Sequence, residues 1–481
     1  MASAFKTRLH ARATLAGLVF SLAALGGCSF APTYHAPATA IPTHFKEAGQ
    51  WQPAHPSDRI PRSAWWTVFH DPVLDGLEQK VAAANPDVAA AVARHDKALA
   101  YVDQAHSGLL PTIGSEVQVQ RDRQSERRPL RFGAKEPSSY DANTAQVGFD
   151  YDLDLWGKVR NEVAAGTASA QASADDLASL RLSLQANLAS DYFDLRGLDE
   201  QQKLLADAVD TYQRALKLTL SRHRGGIASG LDVSRAQNQL EAAQATADDT
   251  RARRALYEHA IATLTGTPAS QFALAPDISQ PYLPQIPTGI PASLLQRRPD
   301  IASAERQVAA ANAKIGVAKA AFFPDLSLGL DGGYQSDALS PWIMAPNEIW
   351  SVGPTMLFTL FDGGRRTAIT HEAEAQLRVN GAQYKATVLL AFQQVEDNLA
   401  LLHHLGDESV HEQDALSAAQ RTLTLAMSRY RDGVVSYLDV VTAQTTELDS
   451  EVSASNLETR RLVASVRLVQ ALGGGWSNER T

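Results

Sequence analysis

The sequence predicts a mainly α-helical protein with a smaller β part, in which several copies of the chain share one membrane β-barrel. Three observations lead to this prediction: a strand-like alternation over residues 144–156, long helical stretches without proline, and an internal duplication that repeats both features. The duplication gives four membrane-length strands per chain, and a sheet in lipid leaves no edge unpaired. Because single-chain outer-membrane barrels begin at about eight strands, two or three copies must close the sheet together.

Composition argues against a transmembrane-helix bundle and does not favour nucleic-acid binding. The chain has 481 residues, of which 44% are hydrophobic, and a formal net charge of −9. Beyond the N-terminus there is no run of roughly eighteen apolar residues, the length that a transmembrane helix needs. A bundle of transmembrane helices is therefore excluded, and the acidic balance gives no indication of a nucleic-acid partner.

The N-terminus has the pattern of a lipoprotein signal peptide. Basic residues precede an apolar stretch at 13–25, which ends in Leu25-Gly26-Gly27-Cys28. This ending resembles a bacterial lipobox, so we predict a signal peptide at 1–27, a lipid on Cys28 and an extended, lipid-anchored segment at 28–62. The alternative is an ordinary secretory signal with an incidental cysteine.

Cys28 is the only cysteine of the chain, so no internal disulfide forms. Lipoproteins retained in the inner membrane usually have aspartate after the cysteine, whereas Ser29 follows here. We therefore expect the chain in the outer membrane, with no cofactor other than the covalent lipid on Cys28.

An internal duplication organises the rest of the chain. The segment 213–233 recurs at 420–440 with an offset of 207, and the upstream parts of the two halves match with an offset of 213. The first repeat is predicted at 63–265, with a β-hairpin at 112–156 and a helical hairpin at 158–265. A linker at 266–298 joins it to the second repeat at 299–472, which has a β-hairpin at 324–361 and a helical hairpin at 364–472. A tail follows at 473–481.

The stretch 144–156 is typical of a barrel strand. Its odd positions are apolar and its even positions up to 154 are polar or glycine, so one face of a strand is apolar and the other carries Asp150, Asp152 and Asp154. A half-exposed strand of a soluble sandwich alternates in the same way. In the second repeat we expect the corresponding strand at 350–361.

Each β-hairpin is followed by a long helical hairpin. Helices are predicted over 158–222 and 366–430, and each turns at a glycine and returns as a second helix, at 231–265 and 438–472. Leucines spaced by three, four and seven residues favour packing as in coiled coils. A spectrin-like spacer is the alternative, but it does not explain why each helical pair is joined to a membrane-type β-hairpin.

The chain resembles the outer-membrane efflux protein family (TolC/OprM-like), within it the lipid-anchored, NodT-type branch of the RND multidrug efflux outer-membrane factors. The residues that carry the resemblance are Trp65-Trp66 with Phe69 and Leu74, Leu294–Ile301, Ala311–Gly316, Ala320–Pro324 and Ala471–Trp476. The resemblance implies a homotrimer: a 12-stranded outer-membrane barrel with four strands per protomer, a long periplasmic α-helical barrel and a mixed equatorial region.

The resemblance also implies a function. The chain is expected to be the passive exit duct of a tripartite efflux system for drugs or other small toxic compounds. Its expected partners are a periplasmic adaptor protein, an inner-membrane pump of the RND type and outer-membrane lipid, with no enzymatic activity. The alternatives are the outlet of a type I protein-secretion system, which uses the same fold, and a periplasmic coiled-coil lipoprotein.

The candidate functional residues lie at the two turns of the helical hairpins. By resemblance, the adaptor-contacting tips are Gly226, Ile227, Ser229 and Leu231 in the first repeat and Gly433, Val434, Ser436 and Leu438 in the second. The predicted periplasmic gate consists of Arg429, Tyr430, Arg431, Asp439 and Asp232. The family often has a second acidic residue three positions after Asp439, where this chain has Thr442, so a double acidic ring is not expected.

Three further motifs are interpreted as structural. Asp150, Asp152 and Asp154 resemble the start of a calcium loop, which also needs glycine at its sixth position and glutamate at its twelfth, and this chain lacks both. Gly473–Gly475 lacks the lysine of a phosphate loop and is expected to end the last helix. His403, His404 and His411 show no ligand spacing with a cysteine or carboxylate set, so a solvated helix face and no metal site are predicted.

Overall fold

The computed structural model describes residues 29–48, 62–125, 139–279, 281–284 and 297–474. Within these residues the chain forms seven α-helices, four β-strands and short 3-10 turns. The helices are α1 (Pro72–Ala84), α2 (Pro86–Ser107), α3 (Lys158–Arg224), α4 (Gly230–Leu264), α5 (Pro299–Ala320), α6 (Arg365–Arg431) and α7 (Tyr437–Ala471). The strands are β1 (Thr112–Arg123), β2 (Ser139–Asp152), β3 (Asp325–Ser336) and β4 (Glu348–Leu357).

The chain divides into two compact units. The first comprises Met1–Pro37, Arg94–Ser173 and Ser303–Tyr384 and contains the sheet, and the second comprises Ala38–Ala93, Ala174–Ala302 and Lys385–Thr481. Helices α3 and α6 contribute residues to both units. The prediction of a mainly helical chain with four strands is confirmed.

The four strands form one antiparallel sheet in the order β1-β2-β3-β4. Its register aligns apolar side chains across all strands, and one such row is Ile113, Phe149, Leu330 and Val352. The adjacent row, displaced by one residue, is Gly114, Gly148, Asp331 and Ser351. Successive residues of a strand point to opposite faces, so the sheet has an apolar face and a polar face. The apolar face is open in the single chain, where Ile113 is 70% exposed.

The predicted bounds of the second strand in each β-hairpin are wrong. Strand β2 begins at Ser139 and ends at Asp152, not at 144 and 156, and β4 ends at Leu357, not at 361. Asp154 explains the first early end, because its backbone has a positive φ of 39° and its carboxylate accepts the backbone N–H of Val159 at 2.9 Å and of Arg160 at 3.0 Å. Asp154 therefore caps α3 and, contrary to the prediction, is not part of the polar face of the strand. Asp362 likewise accepts the backbone N–H of Arg366 at 3.2 Å.

The three pairs of helices that correspond between the two halves have equal lengths. Helices α3 and α6 each have 67 residues, and α4 and α7 each have 35. Helices α2 and α5 each have 22. The halves differ in the β-hairpin connection, which is longer between β1 and β2 (124–138) than between β3 and β4 (337–347). None of the helices in the described residues is long and apolar enough to cross a membrane.

The second unit contains a core around the middle of α3. Leu184, Leu188, Leu195 and Leu198, from the predicted leucine pattern, are buried there. Phe193 contacts Phe69 with a ring centroid distance of 4.9 Å, and the Tyr192 hydroxyl donates to the N-capping Asp71 of α1 at 2.6 Å. The N-terminal end of α1 is therefore fixed to α3 by both apolar and polar contacts. As predicted, α7 ends at a glycine turn, where Gly473 and Gly474 have positive φ.

Candidate functional site: the turns of the two helical hairpins

The two helical hairpins turn with the same backbone motif. At the end of α3 the backbone N–H of Ile227 donates to Arg222 O at 2.9 Å, and that of Gly226 donates to His223 O at 2.9 Å. At the end of α6 the backbone N–H of Val434 donates to Arg429 O, also at 2.9 Å. This is the Schellman arrangement, which needs a left-handed residue after the helix. Gly226 and Gly433 both supply it with φ of +76°.

The returning helices begin with a capping box. In the first turn, the Ser229 backbone N–H donates to an Asp232 carboxylate oxygen at 3.1 Å, and the Asp232 N–H donates to the Ser229 hydroxyl at 3.2 Å. In the second turn, the Ser436 N–H donates to an Asp439 carboxylate oxygen at 3.0 Å. Both predicted gate aspartates therefore stabilise the start of a helix within the chain. Their role in an acidic ring stays a prediction.

Each turn exposes two large apolar side chains. Ile227 and Leu231 are 78% and 59% exposed, and their counterparts Val434 and Leu438 are 64% and 47% exposed. Single exposed apolar residues are ordinary, but a group confined to one short turn is typical of an interaction surface. We call the residues Gly226–Leu231 the first tip and Gly433–Leu438 the second tip.

The first hairpin holds the end of the second. The Arg222 guanidinium, in the last turn of α3, donates to Tyr430 O at 3.2 Å and to Arg431 O at 3.3 Å. The same guanidinium lies 4.5 Å from the centroid of the Tyr430 ring. A cation near the last carbonyl groups of a helix also interacts favourably with the helix dipole. Arg222 therefore binds the C-terminal end of α6 by three kinds of contact.

Tyr430 is buried, which its prediction as a gating residue did not include. It is 6% exposed and packs against Tyr437, with ring centroids 5.5 Å apart, in a cluster with Ala236 and Val440. Among the described residues its hydroxyl has no hydrogen-bond partner. The pKa of Tyr437 is raised to about 12, mainly by burial and secondly by the electrostatic effect of Tyr430.

Arg429 and Arg431, the other predicted gate residues, have exposed side chains. Arg222 and Tyr437 were not predicted as functional residues. Arg222 had a signal, since it occupies the position of Arg429 in the duplication, whereas Tyr437 corresponds to Gly230 and had none.

One sequence interpretation is corrected on α6. His403 and His404 do have a carboxylate partner, because Asp407 lies one helical turn away and its oxygen is 3.9 Å from His403 Nε2. The donor atoms of these three residues lie within 4.8 Å of one another. His411, the third histidine of the sequence motif, is not part of this group.

Cys28 lies outside the described residues, and the residues after it are well anchored. The Ser29 hydroxyl donates to the Asn161 side chain at 2.9 Å. The Phe30 ring stacks on Phe323 with centroids 4.4 Å apart and an interplanar angle of 4°. Trp156, whose indole N–H donates to Pro324 O at 2.7 Å, lies against the same phenylalanine. The N-terminal segment is thus fixed beside the first residues of β3.

A family model described as outer membrane efflux protein matches residues 77–267 and 290–474, which include most of the first repeat, all of the second and both tips. The chain belongs to the outer membrane efflux protein family. The family predicted from the sequence resemblance is confirmed.

Individual proteins of this kind match nearly the whole chain. The pyoverdine export outer membrane protein OpmQ of Pseudomonas aeruginosa is 32% identical over 472 residues, which cover 96% of this chain and 97% of OpmQ. The antibiotic efflux pump outer membrane protein ArpC of Pseudomonas putida is 29% identical over 465 residues, covering 96% of each chain. The solved outer-membrane channel OprN has a TM-score of 0.85 and 28% identity, covering 93% of this chain and all of OprN. The chain is therefore an outer-membrane channel of an efflux system, as predicted.

Proposed function

We propose that three copies of this chain form one passive exit duct for drugs or other small toxic compounds, with a shared 12-stranded barrel in the outer membrane and a helical tunnel in the periplasm. A periplasmic adaptor and an inner-membrane pump of the RND type deliver the compounds. The chain itself supplies the conduit and no catalytic chemistry. The observation that carries the proposal is the four-stranded sheet, which has one apolar face and, among the described residues, two unpaired edges.

The free edges require partners. Strands β1 and β4 lie at opposite edges of the sheet, and each is paired on one side within the described residues. Backbone polar groups without partners are too costly in lipid for an open edge to persist. Pairing β1 of one copy with β4 of the next satisfies both edges, and the family resemblance favours three copies over two.

The duplication supplies a second argument for a ring. Within the chain, Arg222 of the first hairpin binds the end of α6 in the second hairpin. Arg429 occupies the corresponding position of the second hairpin and is exposed. In a ring of alternating hairpins, Arg429 meets the first hairpin of the next copy. Its expected acceptors are the carbonyl groups of His223 and Arg224, which correspond to Tyr430 and Arg431.

The tips are proposed as the adaptor-contacting surface. Their exposed residues, Ile227, Leu231, Val434 and Leu438, are matched between the two repeats, so a ring presents six similar apolar tips. Glycine at each turn leaves room for a partner to approach closely.

Cys28 is proposed as the lipid attachment site. The support is the lipobox-like sequence and the position of the next residues, Ser29 and Phe30, beside Asn161 and Phe323 at the start of β3. A lipid on Cys28 then inserts next to the strand ends, and replacing Cys28 by serine removes the anchor without changing the sheet.

The test is export by a strain in which the gene is deleted and replaced by variants. The deletion strain is expected to become more susceptible to part of a broad antibiotic panel, and the wild-type gene restores tolerance. A strain with Leu438→Glu is expected to be as susceptible as the deletion strain, because a charge at the second tip opposes the docking of an apolar partner surface. Leu256→Glu, at a 67% exposed position of α4 far along the chain from the turn, is the control and is expected to restore tolerance.

The amount of trimer in the outer-membrane fraction is measured for every variant. Full tolerance with Leu438→Glu contradicts the adaptor-contacting role. No change in susceptibility upon deletion contradicts the efflux of these compounds.

A further inference from the structure

Helix α6 carries a compact group of metal-ligand side chains away from the tips. His403, His404 and Asp407 are all exposed, and their donor atoms lie within 4.8 Å of one another. His403 Nε2 and the Asp407 carboxylate are 3.9 Å apart, and the two imidazole centroids are 5.1 Å apart. Ligands about 2.0–2.1 Å from a tetrahedral ion are about 3.3 Å from each other. Small side-chain rotations therefore bring this group to ligating distances.

The spacing follows from helix geometry. Residues three and four apart lie on the same face of a helix, so Asp407 faces both His404, three residues before it, and His403, four residues before it. A single α-helix thus presents two imidazole nitrogens and one carboxylate oxygen without any contribution from another element.

The carboxylate of Asp407 is available for a cation. The next residue, Glu408, lies 3.3 Å from Arg460. Among the described residues Asp407 pairs with no lysine or arginine, and its carboxylate lies 3.9 Å from His403 Nε2. A divalent ion would neutralise the charge of this carboxylate while the neutral imidazoles act as donors.

The group is specific to the second repeat. The corresponding positions in α3 are Arg196, Gly197 and Glu200. Arg196 is buried and donates to Asp199 at 2.9 Å and to Ala275 O at 2.9 Å, and it cannot ligate a cation. The histidines are therefore not a consequence of the shared helical pattern of the two repeats.

We propose that His403, His404 and Asp407 form a binding site for a first-row divalent transition metal ion such as Zn²⁺ or Cu²⁺. Two imidazoles and one carboxylate suit these ions and not Mg²⁺, which prefers oxygen ligands. Three protein donors leave the remaining coordination positions to water. The site goes beyond the exit-duct function and does not depend on it.

The test is metal binding by the detergent-solubilised, tag-free full chain. Titration with ZnCl₂ is followed by calorimetry at pH 7.5 for the wild type, His403→Ala, Asp407→Asn and His411→Ala. Changes even in second-shell residues of metal sites typically cost roughly 10- to 100-fold in affinity. His403→Ala and Asp407→Asn are therefore expected to weaken Zn²⁺ binding at least about tenfold, whereas His411→Ala, two turns further along α6, leaves the affinity unchanged.

A spectroscopic readout identifies the donors. With one equivalent of Cu²⁺ per chain, the electron paramagnetic resonance spectrum is expected to show coupling to imidazole nitrogens that disappears in a His403→Ala/His404→Ala variant. Equal Zn²⁺ affinity of the wild type and His403→Ala, or an unchanged Cu²⁺ spectrum in the double variant, would overturn the proposal. Competition by a large excess of Mg²⁺ would contradict the nitrogen ligands.

Discussion

Arg222 shows how one side chain joins two parts of the duplicated chain. Its guanidinium meets two backbone carbonyl groups and an aromatic ring at the end of α6. Hydrogen bonds from a charged donor contribute about 1.5–3 kcal/mol each, and partial exposure lowers this contribution. Lysine at the same position would keep the charge but not the planar, forked set of donors. The contact between the two hairpins is thus specific for arginine.

Glu78 carries a carboxyl group that is buried without a hydrogen-bond partner among the described residues. Its side chain is fully buried on α1, and neither carboxyl oxygen has a hydrogen-bond partner among the described residues. The pKa of Glu78 is raised from 4.5 to about 9, mainly by burial and secondly by the negative charge of Asp75. The group is therefore protonated in the folded protein at neutral pH.

The raised pKa predicts a pH-dependent effect of Glu78→Gln. Between about pH 4.5 and pH 9 the unfolded chain loses the Glu78 proton while the folded chain retains it, so the carboxyl group lowers stability progressively as pH rises through this window. Glu78→Gln removes this term. Its thermal unfolding temperature is expected to equal that of the wild type near pH 4.5 and to exceed it increasingly towards pH 8.5.

Glu241→Gln, at an exposed position of α4, is the control, and its difference from the wild type is expected to stay constant with pH. A Glu78→Gln effect that is the same at pH 5 and pH 8.5 would show that the buried carboxyl is ionised in both states.

At the scale of elements, the turn of each helical hairpin depends on one glycine. Gly433 has a φ of +76°, and a Cβ built there meets no other atom, so the cost of a side chain is purely conformational. Gly406, inside α6, also has free space around its Cβ position but has no positive φ. Because a Cβ meets no atom at either position, the difference between the two substitutions reports the effect of backbone conformation and not of packing.

Gly433→Ala is expected to destabilise the tip by about 1–2 kcal/mol, the usual cost of the left-handed conformation for a residue with a Cβ. Gly406→Ala is expected to stabilise α6 by about 0.5–1 kcal/mol. Hydrogen exchange of the backbone amides near each position measures both effects. Unchanged or slower exchange near Gly433→Ala would contradict the role of the left-handed glycine, and faster exchange near Gly406→Ala would contradict the role of helix propensity.

The sequence predicts these elements unequally well. The four helices of the two hairpins end within two residues of their predicted ends because glycine and proline mark them clearly. The second strands were predicted too far towards the following helix. The alternation of 144–156 continues through Asp154, and a pattern of polarity does not distinguish a strand residue from an aspartate that caps α3. The elements that follow each other along the chain were therefore placed correctly, and only their junctions were not.

The sequence predicted where the two helical hairpins turn, but not which residues make contacts there. Both tips follow from the repeated glycine and serine positions, but the contact of Arg222 with Tyr430 joins residues 208 positions apart, and local patterns carry no signal for it. The histidine group was missed for a different reason. The expected partners were cysteines or a set of carboxylates, while the observed partner is a single aspartate one helical turn away.

At the scale of the whole molecule, the proposal requires contacts between sheet edges of different copies. The chain has a single cysteine, Cys28, so engineered pairs are easily interpreted in a Cys28→Ser background. A cysteine at Gln118 in β1, combined with single cysteines along β4, is expected to give covalently linked trimers at one register. Denaturing gels without reducing agent detect them.

The matched control is Thr144→Cys with Gln335→Cys, which lie opposite each other in β2 and β3 of one chain. This pair is expected to form a disulfide within the chain and to run as a monomer on the same gel. If no position of β4 links to Gln118→Cys in any copy, the two sheet edges are not neighbours in the assembly.

The equal lengths of the two hairpins have an evolutionary consequence. Helices α3 and α6 have 67 residues each, and α4 and α7 have 35 each. An insertion of two turns, about seven residues, in one helix alone would make its hairpin unequal to the other. We therefore expect tolerated changes of length to occur as coordinated insertions in all four helices. Relatives with longer or shorter hairpins are expected to carry such insertions at corresponding positions of both halves.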